Sequence, residues 1–243
     1  MNDYSRPIGS EGWSKHYNIN NLNGVIESIN TGNVQVWATE LCSIIPENKS
    51  CLEIGCGTGI SSLWLAKHNR KVTALDYTES STELVKKAAQ KLNIKLNIVK
   101  ADATENLPFS NSEFDVIFQC GLLEHFSSEQ QVKLLSRWKK YCSKMVSMIP
   151  NAASIPYRIG KELLEKDGKW EYGLETPKHT LIKEFSLAGI EVEKEYTIGA
   201  EWALKFLPQR HRVRKCFEVL VKQGFDLENM MQGYLLVTIG RCM

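Results

Sequence analysis

The chain has 243 residues, 43% of them hydrophobic and 24% charged, with a formal net charge of +2. That length holds one large domain, or one domain with an inserted lobe, and the balanced charge lacks the basic footprint of a nucleic-acid binder. Seven scattered cysteines with no CxxC pair argue against a disulfide framework and a zinc site, so no metal is expected and the free thiols point to a reducing, cytoplasmic compartment.

The N-terminal stretch "MNDYSRPIGSEGW" has no apolar core of signal-peptide type, and no run reaches the roughly 18 apolar residues of a membrane span. Residues 33–45, "NVQVWATELCSII", place Val34, Trp37, Leu41 and Ile45 on one helical stripe. A strand follows at Ser50–Ile54, then three glycines, then a helix at Ile60–His68. "KVTALD" reads as a second strand. "SSTELVKKAAQKL" reads as a helix opened by a Ser80-x-x-Glu83 capping box, with Leu84, Ala88 and Leu92 as its apolar stripe. "IKLNIVKAD" and "FDVIFQ" are strands three and four. Ser127-x-x-Gln130 caps a helix to about Tyr141, and "KMVSMIP" is strand five. Strand and helix alternate from about residue 50 to residue 150, which predicts a doubly wound α/β fold: a largely parallel sheet with helices on both faces.

The pattern loosens over residues 151–176, which read as a lid or insert. A helix is expected from Thr176-Pro177 to Gly189. "IEVEKEYTI" and "GYLLVTIG" form a closing, hairpin-like strand pair that makes the sheet mixed. Between them lie a helix, a break at Pro208 and a second helix. The basic cluster "QRHRVRK", Gln209–Lys215, reads as a solvated helix face rather than a phosphate-binding patch.

"EIGCGTG" sits between a strand and a helix, where doubly wound sheets bind ligands. Glycines at 55, 57 and 59 permit a tight turn and let a ligand touch the backbone; a side chain at Gly57 would occupy ligand space. The third glycine comes one residue too early for a dinucleotide fingerprint, and Glu53 suits a cationic ligand end better than a pyrophosphate. Asp76, 19 residues after Gly57, ends the second strand, where a carboxylate can accept both hydroxyls of a ribose. At the end of the third strand, Asp102 can accept from an adenine amino group and the Ala103 amide can donate to a ring nitrogen. The set describes a ligand with adenine, ribose and a small charged tail, without phosphates.

"CLEIGCGTG", "ALDYTES" and "ADATENLPFSNSEFDVIFQCGLLEHF" resemble the class I S-adenosylmethionine-dependent methyltransferases of small-molecule type over roughly residues 50–150. The resemblance implies a Rossmann-like, seven-stranded mixed sheet whose last strand is antiparallel. It implies an N-terminal cap segment at 1–45 and a methyltransferase domain at 46–243 with a lid insert at about 151–180. The implied cofactor is S-adenosyl-L-methionine, leaving as S-adenosyl-L-homocysteine. Glu53 would orient the loop and the methionine amine. Gly55, Cys56, Gly57 and Gly59 would form the loop against the cofactor. Asp76 would hold the ribose and Tyr77 flank the adenine, which Asp102 and Ala103 would read. Gln119 and Cys120 would line the methionine side. "GWSKHYN" resembles the segment that folds over the cofactor in related enzymes, with Tyr17 on the methionine carboxylate; an ordered tail packed on the core would serve Trp13 and Tyr17 equally.

The implied reaction is in-line transfer of a methyl group to a small-molecule acceptor, which needs alignment and exclusion of water more than acid–base help. If the acceptor must lose a proton, His125 is the candidate base, against a packing role at the strand–helix junction; Glu124 carries the same two readings. His16 and His179 are weaker candidates. On the acceptor side, Trp13, Glu124, Tyr157, Arg158, Trp170, Tyr172 and Trp202 are candidates. Trp170 reads equally as the core of a helical hairpin, and Trp202 as helix core. The expected partner is a small molecule, with neither nucleic acid nor membrane, on a monomer or homodimer. RNA or protein methylation on the same fold, a non-catalytic S-adenosylmethionine binder and a nicotinamide oxidoreductase are the alternatives. The absence of an "NPPY"-like segment at strand four lowers base methylation, and the glycine spacing disfavours the oxidoreductase.

Overall fold

The computed structural model describes residues 8–243; residues 1–7 of the expected N-terminal cap lie outside the described residues. In chain order the elements are α1 (Ser10–His16), α2 (Leu22–Thr31), α3 (Val36–Ile44), β1 (Ser50–Ile54), α4 (Ile60–Lys67), β2 (Lys71–Asp76), α5 (Glu79–Leu92), β3 (Asn97–Lys100), β4 (Phe114–Cys120), α6 (Ser128–Trp138) and β5 (Cys142–Pro150). There follow α7 (Ile155–Lys166), α8 (Ile182–Leu187), β6 (Ile190–Ile198), α9 (Ala200–Ala203), α10 (Arg212–Lys222), α11 (Leu227–Met230) and β7 (Leu235–Cys242).

The seven strands form one sheet in the order β3-β2-β1-β4-β5-β7-β6. The first five in sequence pair in parallel, and β7 inserts antiparallel between β5 and β6. This is the mixed sheet expected from the closing strand pair. The central strands are apolar toward both faces. Leu52, Ile54, Ile117 and Met145 face a cluster with α6 and α8, while Cys51, Val116, Phe118 and Val146 face another that includes Leu41 of α3 and Ile45 just past its end. A third cluster joins Leu22, Val25 and Ile29 of α2 to Leu63 of α4 and Leu84 and Ala88 of α5, so the N-terminal helices share the core of the sheet domain.

Two helix starts differ from expectation for physical reasons. Thr78, not Ser80, caps α5: the Thr78 amide and hydroxyl both donate to Asp76 Oδ1 at 2.9 Å, which fixes Thr78 at the helix entry, while Ser80 Oγ is buried without a partner. The helix expected from Thr176 begins only at Ile182. Thr176 is tied in place by its amide and hydroxyl, which donate to the Glu124 carbonyl at 2.9 and 2.7 Å, and Lys178 forms a parallel bridge with Asn151. The capping box at Ser127 and Gln130 forms as read.

The third glycine of the loop serves helix packing. Gly59 adopts φ +70° as N-cap of α4, and a Cβ there would lie 2.4 Å from Val85 Cγ2 on α5. Gly59→Ala therefore combines left-handed strain with a core clash and is expected to cost about 1–3 kcal/mol in thermal or denaturant unfolding. An unchanged unfolding midpoint would show that α4 and α5 do not need that approach.

Candidate functional site

The C-terminal ends of β1, β2 and β4, with the segment after β3, surround a cavity of about 520 Å³. Glu53, Gly55, Cys56, Gly57, Asp76, Tyr77, Asp102, Ala103 and Cys120 all line it, as do Tyr17, Trp13, His125, Tyr172 and Trp202. Sequence-distant candidates thus converge because each sits at a strand tip or in a segment folded over those tips.

The loop geometry explains its glycines. Gly55 and Gly57 have φ of +71° and +52°, where L side chains are strained. A Cβ on Gly55 would meet Leu122 at 3.1 Å, and one on Gly57 would meet the Tyr17 ring at 3.2 Å. The space at Gly57 is therefore bounded first by the protein's own Tyr17. Burial lifts the Tyr17 phenol well above its ordinary range, so it stays protonated and can donate.

The acidic groups are tied into the loop. Glu53 is 3% exposed, and its Oε2 accepts from the Ser62 amide at 3.0 Å and the Ser62 hydroxyl at 2.5 Å. Burial raises its pKa to about 8, against the lowering effect of those hydrogen bonds. Asp76 Oδ2 accepts from the Gly57 amide at 2.9 Å, and its Oδ1 carries the two Thr78 bonds. The carboxylate expected to be free for two hydroxyls is thus also the clamp of the glycine loop, with most of its spare capacity at Oδ2. Asp102 is exposed, its Oδ1 accepting from the Thr104 amide and hydroxyl at 2.8 and 2.7 Å. The Ala103 carbonyl accepts from Trp138 Nε1 at 2.9 Å, which fastens this segment to α6.

His125 lies in a 3₁₀ turn, Leu123–His125, directly after β4. Its Nδ1 is 2.6 Å from the Leu174 carbonyl. A carbonyl only accepts, so Nδ1 carries the proton and Nε2 presents a lone pair. Burial holds the ring's pKa below its ordinary value, the Leu174 carbonyl opposing. The Trp13 ring stands edge-on to it, centroids 5.0 Å apart. Trp13 also stacks on Tyr17, and His16 on Tyr172, which draws α1 and the segment around Tyr172 together over the cavity.

Six expected site residues lie elsewhere. Gly59 packs on α5. Gln119 is buried beneath the turn: its Nε2 donates to Ser147 Oγ at 2.6 Å, and its Oε1 accepts from the Leu122 amide at 2.8 Å. Arg158 is exposed and off the cavity wall. Trp170 joins Tyr157 and Ala203 in a small core and donates to the Gly173 carbonyl at 3.0 Å, which is the hairpin-core alternative. Tyr157 is fully buried there and donates to Glu175 Oε1 at 2.7 Å. Glu124 is buried behind the turn rather than on the wall.

Gln35 and Trp37 line the cavity and were not anticipated as site residues. Trp37 meets Trp202 edge-on at 5.0 Å, and Gln35 Oε1 is buried without a partner. The helical stripe assigned Trp37 to the core, and nothing local to residues 33–45 signals that this helix starts at the cavity mouth. Among the described residues no helix is long and apolar enough to cross a membrane, and no cluster of His, Cys, Asp and Glu could hold a metal ion.

Residues 51–144 match the model of the methyltransferase domain family. A stretch of 86 residues is 35% identical to the ubiquinone biosynthesis O-methyltransferase of Coxiella burnetii, covering 35% of this chain and 36% of that one; the match thus spans about a third of the relative's length. Over 116 residues the chain is 30% identical to an S-adenosyl-L-methionine-dependent Diels-Alderase from Talaromyces variabilis, covering 44% of this chain and 40% of that one. The solved structure of magnesium protoporphyrin IX methyltransferase from Synechocystis PCC 6803, with bound S-adenosylhomocysteine, superposes with a TM-score of 0.56 at 13% identity, covering 92% of this chain and 86% of that one. The fold is that of the Rossmann-like methyltransferases.

Proposed function

We propose, for a chain whose residues 51–144 belong to the methyltransferase domain family, that it is an S-adenosylmethionine-dependent methyltransferase acting on a small molecule, in the cytoplasm as its free thiols suggest. The observation that carries the reading is the cavity in which a positive-φ glycine loop meets Glu53, Asp76 and Asp102 from three neighbouring strand ends. These residues suit the cofactor. The glycines leave room for close backbone approach, and the acidic tips match an amine and hydroxyls. When bound, the cofactor supplies an already activated methyl group on a sulfonium.

The chain's own residues then have defined tasks. Gly55 and Gly57 present bare backbone, the Gly55 amide held by the Leu75 carbonyl and the Gly57 amide by Asp76. Glu53 faces the cationic end, and Asp102 and Ala103 flank the adenine position. α1, with Trp13 and Tyr17, and the segment carrying Tyr172 cover the cavity and exclude water. His125 Nε2 takes a proton from the acceptor where one must leave. The likeness to a Diels-Alderase means that cofactor binding and methyl transfer need separate readouts.

Calorimetric titration with S-adenosylhomocysteine, NAD and ATP tests the cofactor, and a methyl-transfer screen against a metabolite extract tests the activity. Heat with S-adenosylhomocysteine alone is the expected result; binding of NAD instead would overturn the reading. Asp76→Ala is expected to weaken S-adenosylhomocysteine binding by ~1–3 kcal/mol, since it removes an acceptor and frees the Gly57 amide. Unchanged affinity would remove Asp76 from the site.

Glu53 gives a pH signature. In the ligand-free fold its carboxyl stays protonated up to about pH 8, against an ordinary 4.5, so the unfolded chain sheds that proton first, whereas a cationic ligand end beside it favours the carboxylate. Its contribution to stability is complete below the ordinary value and fades as pH climbs through about 8. Glu53→Gln keeps the Ser62 contacts and removes the titration, so its melting temperature is expected to gain on the wild type between pH 5 and pH 8. Parallel curves would show that Glu53 is ionised in the fold.

A further inference from the structure

Two of the seven thiols meet at the end of the sheet away from the cavity. Cys142 opens β5 and Cys242 closes β7, its antiparallel neighbour, and their sulfurs stand 3.6 Å apart in hydrogen-bond contact. Adjacent antiparallel strands run about 5 Å apart, inside the Cα separation that a disulfide spans, so side-chain rotation can close the sulfurs to bonding distance. Cys142 pairs with Phe114 at the start of β4, whereas Cys120 at the other end of β4 lines the cavity.

The two cysteines differ in their surroundings. Cys142 is 4% exposed and sits in the core with Phe114, Met145 and Ile190. Cys242 packs on the margin of that cluster and is half-buried, so solvent reaches it. The hydrogen bond from Cys142 holds the Cys242 thiol below its ordinary value, and the Lys139 charge helps while burial opposes; the same bond, with burial, raises Cys142. Lys139 is fixed in the turn before β5, its Nζ donating to the Gly189 carbonyl at 3.1 Å. A partly exposed sulfur near a cation, with a buried thiol against it, suits an attacking cysteine and its resolving partner. The location also matters to the fold. β6 joins the sheet only through β7, and β7 joins the parallel strands only through β5. A bond at this point would fasten both closing strands to the rest of the sheet.

We propose that Cys142 and Cys242 form a redox modification site, at which a hydroperoxide converts the pair into a disulfide that staples β7 to β5. Neither residue lines the cavity, so the site stands apart from the methyl-transfer reading. In the first step the Cys242 thiolate attacks one peroxide oxygen. A sulfur–oxygen bond forms, the oxygen–oxygen bond breaks, and the leaving hydroxide takes up a proton to become water. In the second step the Cys142 sulfur attacks the Cys242 sulfur as its own proton departs, and the sulfenic oxygen leaves as a second water. Two thiols are oxidised by two electrons and one peroxide is reduced to two waters. The thiol reductants of a reducing compartment reverse the change.

The test uses the full chain, reduced, freed of reductant and treated with a small excess of hydrogen peroxide. Remaining thiols are then alkylated and the unreduced peptides mapped by mass spectrometry. The expected product is a peptide pair joined through Cys142 and Cys242, two hydrogens lighter than its separate halves and split by dithiothreitol. The linked chain is expected to melt about 5–10 °C above the reduced one, because the bond closes a loop of 100 residues. In Cys142→Ser the resolving thiol is gone, so Cys242 should stay as its sulfenic acid and be captured by dimedone several times more than in the wild type. The mapping needs no variant and decides the matter even where Cys142→Ser fails to fold. The proposal is overturned by Cys142 and Cys242 both remaining open to alkylation, by either being linked to another cysteine instead, or by a linked chain that melts no higher than the reduced one. Dimedone capture no greater in a folded Cys142→Ser chain also overturns it.

Discussion

Gly57→Val is expected to abolish S-adenosylhomocysteine binding, weakening it by about a hundredfold or more, close to 3 kcal/mol, while the chain stays folded. Three observations make this the most sensitive position. Its φ of +52° is one that a β-branched residue adopts only with strain. A Cβ there would already press the Tyr17 ring at 3.2 Å, and valine adds two methyl groups beyond it. The Gly57 amide donates to Asp76 at 2.9 Å, so a shifted backbone releases the acid at the next strand tip as well. The folding cost of one left-handed residue is about 1–2 kcal/mol, which a domain of this size tolerates. Calorimetry beside circular dichroism separates the two effects. Retained affinity in a folded variant would mean that the loop points away from the ligand.

His125→Gln is expected to lower the transfer rate by about 10²–10⁴, the range of a positioned base, while the affinity for S-adenosylhomocysteine holds within a few fold. The pH profile carries the sign. Burial holds His125 below its ordinary value of 6.5, so Nε2 is free at neutral pH. The wild-type rate should be flat near neutrality and fall as acid protonates the ring, and the variant should lose that acidic limb. An unaltered rate would return His125 to the packing role that its bond to the Leu174 carbonyl also supports.

The sheet and the cofactor half of the cavity were legible because their signals are local. Each apolar strand ends in a residue whose chemistry stands out: Glu53 and Gly55 at β1, Asp76 at β2, Asp102 just past β3. Parallel pairing then brings those tips side by side without further information. What escaped depends on tertiary ties. The run from Thr78 to Thr82 offers several hydroxyl caps, and Asp76 selects Thr78. The stretch from Thr176 reads as helix, and the Glu124 carbonyl holds its start open. Gln119 follows the strand-tip rule but spends its amide on the turn below. Gln35 and Trp37 reach the cavity only because α3 packs against α4 and the sheet, and Leu174 and Thr176 reach the turn at Glu124 and His125 only because the chain returns some fifty residues later.

The crystal structure of the full chain grown with S-adenosylhomocysteine tests the central claim most directly. The account predicts the thioether sulfur facing His125 and Tyr172, the ribose at Asp76 and the adenine beside Asp102 and Ala103, with the glycine loop against the chain of the ligand. Density for the ligand at any other surface, or a cavity that stays closed to it at saturating concentration, would contradict the account.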